Sequence, residues 1–407
     1  MKLELLTIGS ELLSGFTINS NAAAIGQLLS SQGFPINRVI CLPDAAFSIK
    51  RGIIEAMERS SFVIITGGLG PTKDDLTRGV IADIFNVPLI YSQTVADDLI
   101  RRFTVKLSTL RDQSMVPQGA QILYNPIGTA PGVILSHQKS SVIMLPGVPV
   151  QMEAMLPAVI HYLKEHATPS YFVKSLYFCH LDEEQVDPLL RQLEREYVDV
   201  HINICPSYGV LSIFIYSCDP QYFDPIVEAI IQSFSTYFFS TTCQKIEYAI
   251  HEWMVMHNKT LACAESCTGG RLSSRLVAIC GASSYFLGGI VSYSNAFKRS
   301  ALHISSTALC SHGAVSEEVV TEMARSTLKI SEADYAIAIS GIAGPYGGSD
   351  NKPVGTVWGA IATKEQIFVG KFLAKGVPHR ESVIDYSVTF LLGTLWRYLQ
   401  HNVIPFV

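Results

Sequence analysis

The string ACAESCTGGRLSSRLV, which begins at Ala262, puts a hydroxyl, a glycine pair and a helix start within a few residues of one another. An apolar run ends at Ala264 or Glu265, glycines follow at 269 and 270, and a helix begins near Arg271. Ser266 therefore falls at a strand-to-helix turn. There the N–H groups of 267 to 270, backed by a helix N-terminus, could hold an oxyanion or a phosphate. The position suits a helix N-cap equally, so nucleophile and cap are both open. A serine nucleophile also needs a base. None of the eleven histidines stands in a catalytic setting, with His303 following a helix and His312 in a turn. A lysine with a depressed pKa can serve instead. Lys298 is the candidate, in the segment NAFK that starts a helix just after Tyr293, although most helical lysines are solvated surface charges.

Two further loops carry chemistry-bearing residues. In SGIAGPYGG, four glycines (341, 344, 347 and 348) follow an apolar strand and would let backbone approach a ligand, or merely shape a turn. The GK[ST] ending of a triphosphate-binding loop is missing. Near the N-terminus, GGLGPTKDDLT gives Gly67, Gly68 and Gly70 at a strand end. Asp74 and Asp75 follow, as hard oxygen donors for a divalent cation or as a helix cap. Asp44 in LPDAAF joins that carboxylate set or shapes its own turn, and Asn125 adds a polar loop with Gly128 and Gly132.

The elements that must position these loops alternate. LELLTIG, SFVIITGG and SVIMLPG read as buried strands, with helices between them over NSNAAAIGQLLSSQG and DDLTRGVIADIF. Such alternation predicts a parallel sheet with helices on both faces and ligand loops at its carboxyl edge. From about 168 the texture turns aromatic and alternating, which predicts a small α+β domain over 168–243. Strand–helix alternation resumes over 244–407 and ends on a helix with Ile384, Val388, Leu391, Leu392, Leu395 and Leu399 in one stripe. The expected architecture is two doubly wound α/β domains, 1–167 and 244–407, joined by the small one.

Composition narrows the function. Of 407 residues, 48% are hydrophobic and 16% charged, which suits packed cores. A net charge of −5 offers no basic field for a nucleic acid, and none is expected as a partner. Nine cysteines without C-x-x-C spacing point to free thiols in a reducing compartment. No apolar stretch approaches the ~20 residues of a membrane helix, and MKLELLTIGSELLSG lacks a signal-peptide core. A cytoplasmic location, away from the membrane, is expected.

AESCTGG, VSYSNAFK, HGAVSEEV, SGIAGPYGG and KPVGTVW together resemble the C-terminal domain of the CinA family, which is similar to nicotinamide mononucleotide deamidase. The resemblance implies that Ser266 attacks the carboxamide, Lys298 activates it and Tyr293 assists, without a cofactor. Thr268, Gly269, Gly270, Ser340, Gly341, Gly344 and Arg380 would bind the substrate. Products would be nicotinic acid mononucleotide and ammonia. Ser340 stands where the family usually has threonine, and in GVPHRESVI His379 and Ile384 replace its usual aspartate and second arginine. GSELLSG, GGLGPTKDDLT, NPIGTAPG and LPGVPVQM are similar to the family's molybdopterin-binding-like N-terminal domain, with Gln151 in place of a common glutamate. For that half the resemblance implies a metal-dependent ADP-ribose pyrophosphatase. Its site would draw on Glu11, Asn21, Gly67, Gly68, Gly70, Thr72, Thr77 and Asn125. Asp44, Asp74 and Asp75 would carry Mg, Mn or Co. The middle segment takes the place of a KH-like linking domain, and a homodimer acting on small nucleotides is the family expectation. Two alternatives stand beside the bifunctional enzyme: an active N-terminal site alone, or a non-catalytic interaction protein in competence or DNA-damage responses.

Overall fold

A computed structural model describes residues 1–406 apart from 71–74, 104–106, 138, 244 and 375–378, and, of residues 107–109, the backbone alone. By internal contacts the chain forms two units, residues 1–173 with 217–220, and residues 174–216 with 221–407. The segment expected as a linking domain lies largely within the second.

In the first unit the apolar runs become a six-stranded sheet in the order Arg38–Leu42, Leu3–Ile8, Phe62–Thr66, Ser140–Leu145, Gly132–His137, Gln121–Leu123. The first four strands are parallel and the last two antiparallel. The all-parallel expectation is corrected here for a simple reason. Gly132–His137 and Ser140–Leu145 are joined by two residues, whereas a parallel crossover needs about a dozen. Alternating strand residues feed two cores. Leu6, Val63, Ile65 and Met144 meet Ile49, Ile53, Val80 and Ile81 on one face. Leu5, Ile64, Ile143 and Leu145 meet Ile25, Leu29, Met152 and Leu156 on the other.

Within 172–240 a four-stranded sheet packs its apolar side on the helices Glu183–Glu196 and Phe223–Ser233 through Leu176, Phe178, Val186, Leu190, Ile213 and Ile226.

The C-terminal sheet runs Phe286–Val291, Leu261–Glu265, Tyr335–Gly341, Thr356–Ala362, Ile367–Leu373. It too is mixed, with three parallel strands and two antiparallel ones. The turn Thr363–Gln366, closed by a 2.8 Å bond from Thr363 N–H to the Gln366 carbonyl, is again too short for a crossover. The helix Arg380–His401 covers one face with Val388, Leu391, Leu392 and Leu395 fully buried, while Ile384 and Leu399 are only partly so. The helix Glu317–Ser331 covers the other, through Val319, Val320 and Met323.

Candidate active site

The strand Leu261–Glu265 is buried at all five residues and ends on the turn that carries Ser266. The helix that follows is Arg271–Val277, and its N-cap is Gly270 with φ 100°. Ser266 is thus not the cap, which removes one of its two readings. Nor is the helix N-terminus open to a ligand. The side chain of Glu265, wholly buried, turns back onto it. Its Oε2 accepts the N–H groups of Gly270 and Leu272, each at 3.0 Å, and its Oε1 accepts the N–H of Ser273 at 2.9 Å and the Ser273 hydroxyl at 2.6 Å. The expectation that residues 267–270 present a row of donors is corrected accordingly. Gly270 is taken by Glu265, and Gly269 N–H bonds to the Ser266 carbonyl at 3.2 Å. Among the described residues no carbonyl or carboxylate accepts the Thr268 N–H. The Thr268 hydroxyl is buried without a partner.

Lys298 comes to the same point from the helix Asn295–Leu302, whose cap is Ser294 through a 3.1 Å bond from Phe297 N–H. It is 0% exposed, and Ser266 is 7% exposed. Lys298 Nζ lies 2.8 Å from Ser266 Oγ, 2.6 Å from the Ser292 carbonyl and 3.2 Å from the Tyr293 carbonyl. The Ser292 carbonyl is itself placed by the 2.8 Å bond from Ser292 N–H to the Glu265 carbonyl. Two carbonyls can take only N–H protons. A neutral amine that gives one to each has its lone pair left for the serine hydroxyl. Burial holds the Lys298 amine below the ordinary lysine range; a Cys267 thiolate would oppose this. The Cys267 thiol is pushed up to about 12 by its own burial, so near neutral pH it carries no charge with which to oppose the shift.

The remaining predicted residues divide. Tyr293 is 62% exposed, and its hydroxyl accepts from Arg380 at 3.1 Å, so only its backbone carbonyl touches the lysine. Arg380 also donates to the Gly344 carbonyl at 2.8 Å, which ties the glycine loop to the Tyr293 side chain. Ser340 is buried and donates its hydroxyl to the Ala314 carbonyl at 2.7 Å, so it braces a neighbouring loop. Gly341 is needed for space, because a Cβ there would come within 2.8 Å of Val357 and 3.2 Å of Cys267 Sγ. His312 pairs with Glu318 at 3.1 Å.

In the first unit a cavity of about 490 Å³ opens at the carboxyl ends of Leu3–Ile8 and Phe62–Thr66. Glu11, Asn21, Asp44, Gly67, Gly68, Gly70 and Asp75 all line it. Thr77 and Asn125 do not. Thr77 is buried and donates its hydroxyl to the Gly67 carbonyl at 3.0 Å. Asn125 accepts from Ile127 and Gly128 N–H and donates to Ala130 and Gln151, so it fastens its own loop. Thr72 and Asp74 lie outside the described residues. Asp75 is no cap, since the helix Thr77–Phe85 has Leu76 at its N-cap and no side-chain bond there. Asp44 Oδ2 is taken by Ser10 N–H at 2.8 Å. Among the described residues no three acidic, histidine or cysteine side chains converge as metal ligands, and the expected trio of Asp44, Asp74 and Asp75 includes a residue outside them. Sequence reading missed Gln113 in this cavity and Glu265 in the other site.

Among the described residues no helix is long and apolar enough to cross a membrane. Residues 243–399 match the CinA C-terminal domain, and residues 4–165 match the family described as "Probable molybdopterin binding domain". A CinA-like protein of Thermotoga maritima is 36% identical over 408 residues, 98% of each chain. One from Thermotoga neapolitana is 37% identical over 365 residues, covering 88% of this chain and 89% of its own. The crystal structure of the competence damage-inducible protein A of Klebsiella pneumoniae shares 35% identity with a TM-score of 0.37. It covers 38% of this chain and 96% of its own.

Proposed function

The chain belongs to the CinA family, and from that premise we propose that its C-terminal domain is an amidohydrolase acting on the carboxamide of nicotinamide mononucleotide. One observation carries the reading: a fully buried lysine amine 2.8 Å from a serine hydroxyl at a strand end. Lys298 takes the Ser266 proton as Oγ attacks the carboxamide carbon, then passes it to the departing nitrogen, which leaves as ammonia. Water, deprotonated by the same amine, cleaves the acyl-serine to give nicotinic acid mononucleotide. The Thr268 N–H and its unpartnered hydroxyl are the donors offered to the developing oxyanion. The exposed Arg380 guanidinium, beside the glycine loop, suits the substrate phosphate. Ser266→Ala is expected to lose at least ~10³-fold of ammonia release from nicotinamide mononucleotide with an unchanged melting temperature. Full activity in that variant refutes the assignment.

A second reading concerns the N-terminal cavity, where glycine-rich turns and carboxylates at the sheet's carboxyl edge suit a phosphorylated nucleotide. Hydrolysis of ADP-ribose there is tested by AMP formation with and without Mg, Mn or Co. The described carboxylates alone do not group as metal ligands, and Asp74 lies outside them.

A further inference from the structure

Gln113 closes the helix Leu107–Gln113 and lines the N-terminal cavity, yet it is 0% exposed. Among the described residues neither its Nε2 nor its Oε1 has a hydrogen-bond partner. Polar groups beside it in the chain have partners. Ser114 N–H and the Ser114 hydroxyl both bond to the Leu110 carbonyl, and the Asp112 and Met115 carbonyls accept from Arg78 at 2.7 and 3.1 Å. A second amide in the same cavity is half-satisfied: Asn21 donates to the Gly147 carbonyl at 2.8 Å, while its buried Oδ1 has no partner among the described residues. Burying an amide unmet is costly, and proteins tolerate it chiefly where something else completes the bonds.

We propose that Gln113 is a specificity residue that reads the edge of a fused heterocyclic ring on a phosphate-bearing ligand of the N-terminal cavity. The amide offers a donor and an acceptor side by side in one plane. Its complement is a ring edge with an adjacent acceptor and donor, as an adenine or a pterin carries. A phosphate dianion cannot supply this, because it has acceptors only. The glycine turn 67–70 lines the same cavity, where its backbone can approach the ligand's phosphate. About 490 Å³ accommodates a mononucleotide-sized molecule.

The inference rests on the nucleotide reading of this cavity but not on turnover there. The test is calorimetric titration of the full chain and of Gln113→Met with three ligands that carry no pyrophosphate bond: AMP, a pterin monophosphate and ribose 5-phosphate. Gln113→Leu serves as the second variant. The expected result is about tenfold weaker binding of whichever ring-bearing ligand the wild type takes. Ribose 5-phosphate should be unaffected, and the ligand-free variant should melt at or above the wild-type temperature. The ring-bearing ligand that responds identifies the source. Equal weakening for all three ligands, no weakening for any, or a lower melting temperature in both variants overturns the role of Gln113 while leaving the nucleotide reading intact. A wild type that binds neither ring-bearing ligand overturns both.

Discussion

At the scale of residues, the chemistry depends on how Lys298 exists without its proton. Desolvation lowers its pKa, and no carboxylate pairs with it among the described residues. The sign follows directly. The free amine is the base, so kcat/KM for ammonia release should rise with pH along a limb set below the ordinary lysine value of 10.5. Folding is linked the same way: between the folded pKa and 10.5 the unfolded chain holds the extra proton, so this lysine's contribution to stability grows as pH rises through that window and then levels off. Lys298→Met should cost about 10³-fold in rate and leave a residual activity without that limb, checked by a pH–rate profile. A variant that kept the limb would assign it to another group. Ser266 and Lys298 could be nominated from the sequence because residue type and local frame sufficed. Ser340, Asp44 and Asn125 could not be judged that way. Their hydroxyl, carboxylate and amide are satisfied by Ala314, Ser10 and Gln151, partners 26, 34 and 26 positions away in the chain.

At the scale of elements, the nucleophile's turn is fixed by Glu265 rather than by the helix it precedes. One carboxylate takes three N–H groups and a hydroxyl, so the helix Arg271–Val277 is sewn to the end of its strand. Glu265→Gln replaces an oxygen by an NH₂ that must face N–H donors. It is expected to cost about 2–3 kcal/mol in urea unfolding and to lower kcat without moving the pH limb. An unchanged unfolding midpoint with unchanged kcat would show the clamp to be dispensable. The strands were legible because apolar runs bounded by glycine have few other ways to be buried. Their mixed direction was legible only in part. It resides in connection lengths, such as the two residues before Ser140 and the turn Thr363–Gln366, which alternation alone does not weigh. Glu265 and Gln113 were opaque for a different reason. A glutamate before a nucleophile and a glutamine ending a short helix look solvated until tertiary packing closes over them.

At the scale of the whole molecule, each unit carries its own apolar cores and its own candidate site, and all nine cysteines are free thiols. Their reactivity should follow burial. Cys205, Cys218, Cys280 and Cys310 are exposed, whereas Cys179, Cys263 and Cys267 are buried with thiols pushed up to about 12 by desolvation. Near neutral pH an Ellman titration of the native protein should therefore show four fast thiols, with the half-buried Cys41 and Cys243 slower. The three buried ones should react only after unfolding, and reductant should not shift the melting temperature. Cys267 makes the experiment informative about mechanism, because it adjoins Ser266 and is the stronger nucleophile by type. If serine does the chemistry, modifying the four fast thiols leaves ammonia release intact. Rapid inactivation that tracks the loss of a single thiol would instead place a reactive cysteine at the site, and the serine–lysine pair would lose its claim to the reaction.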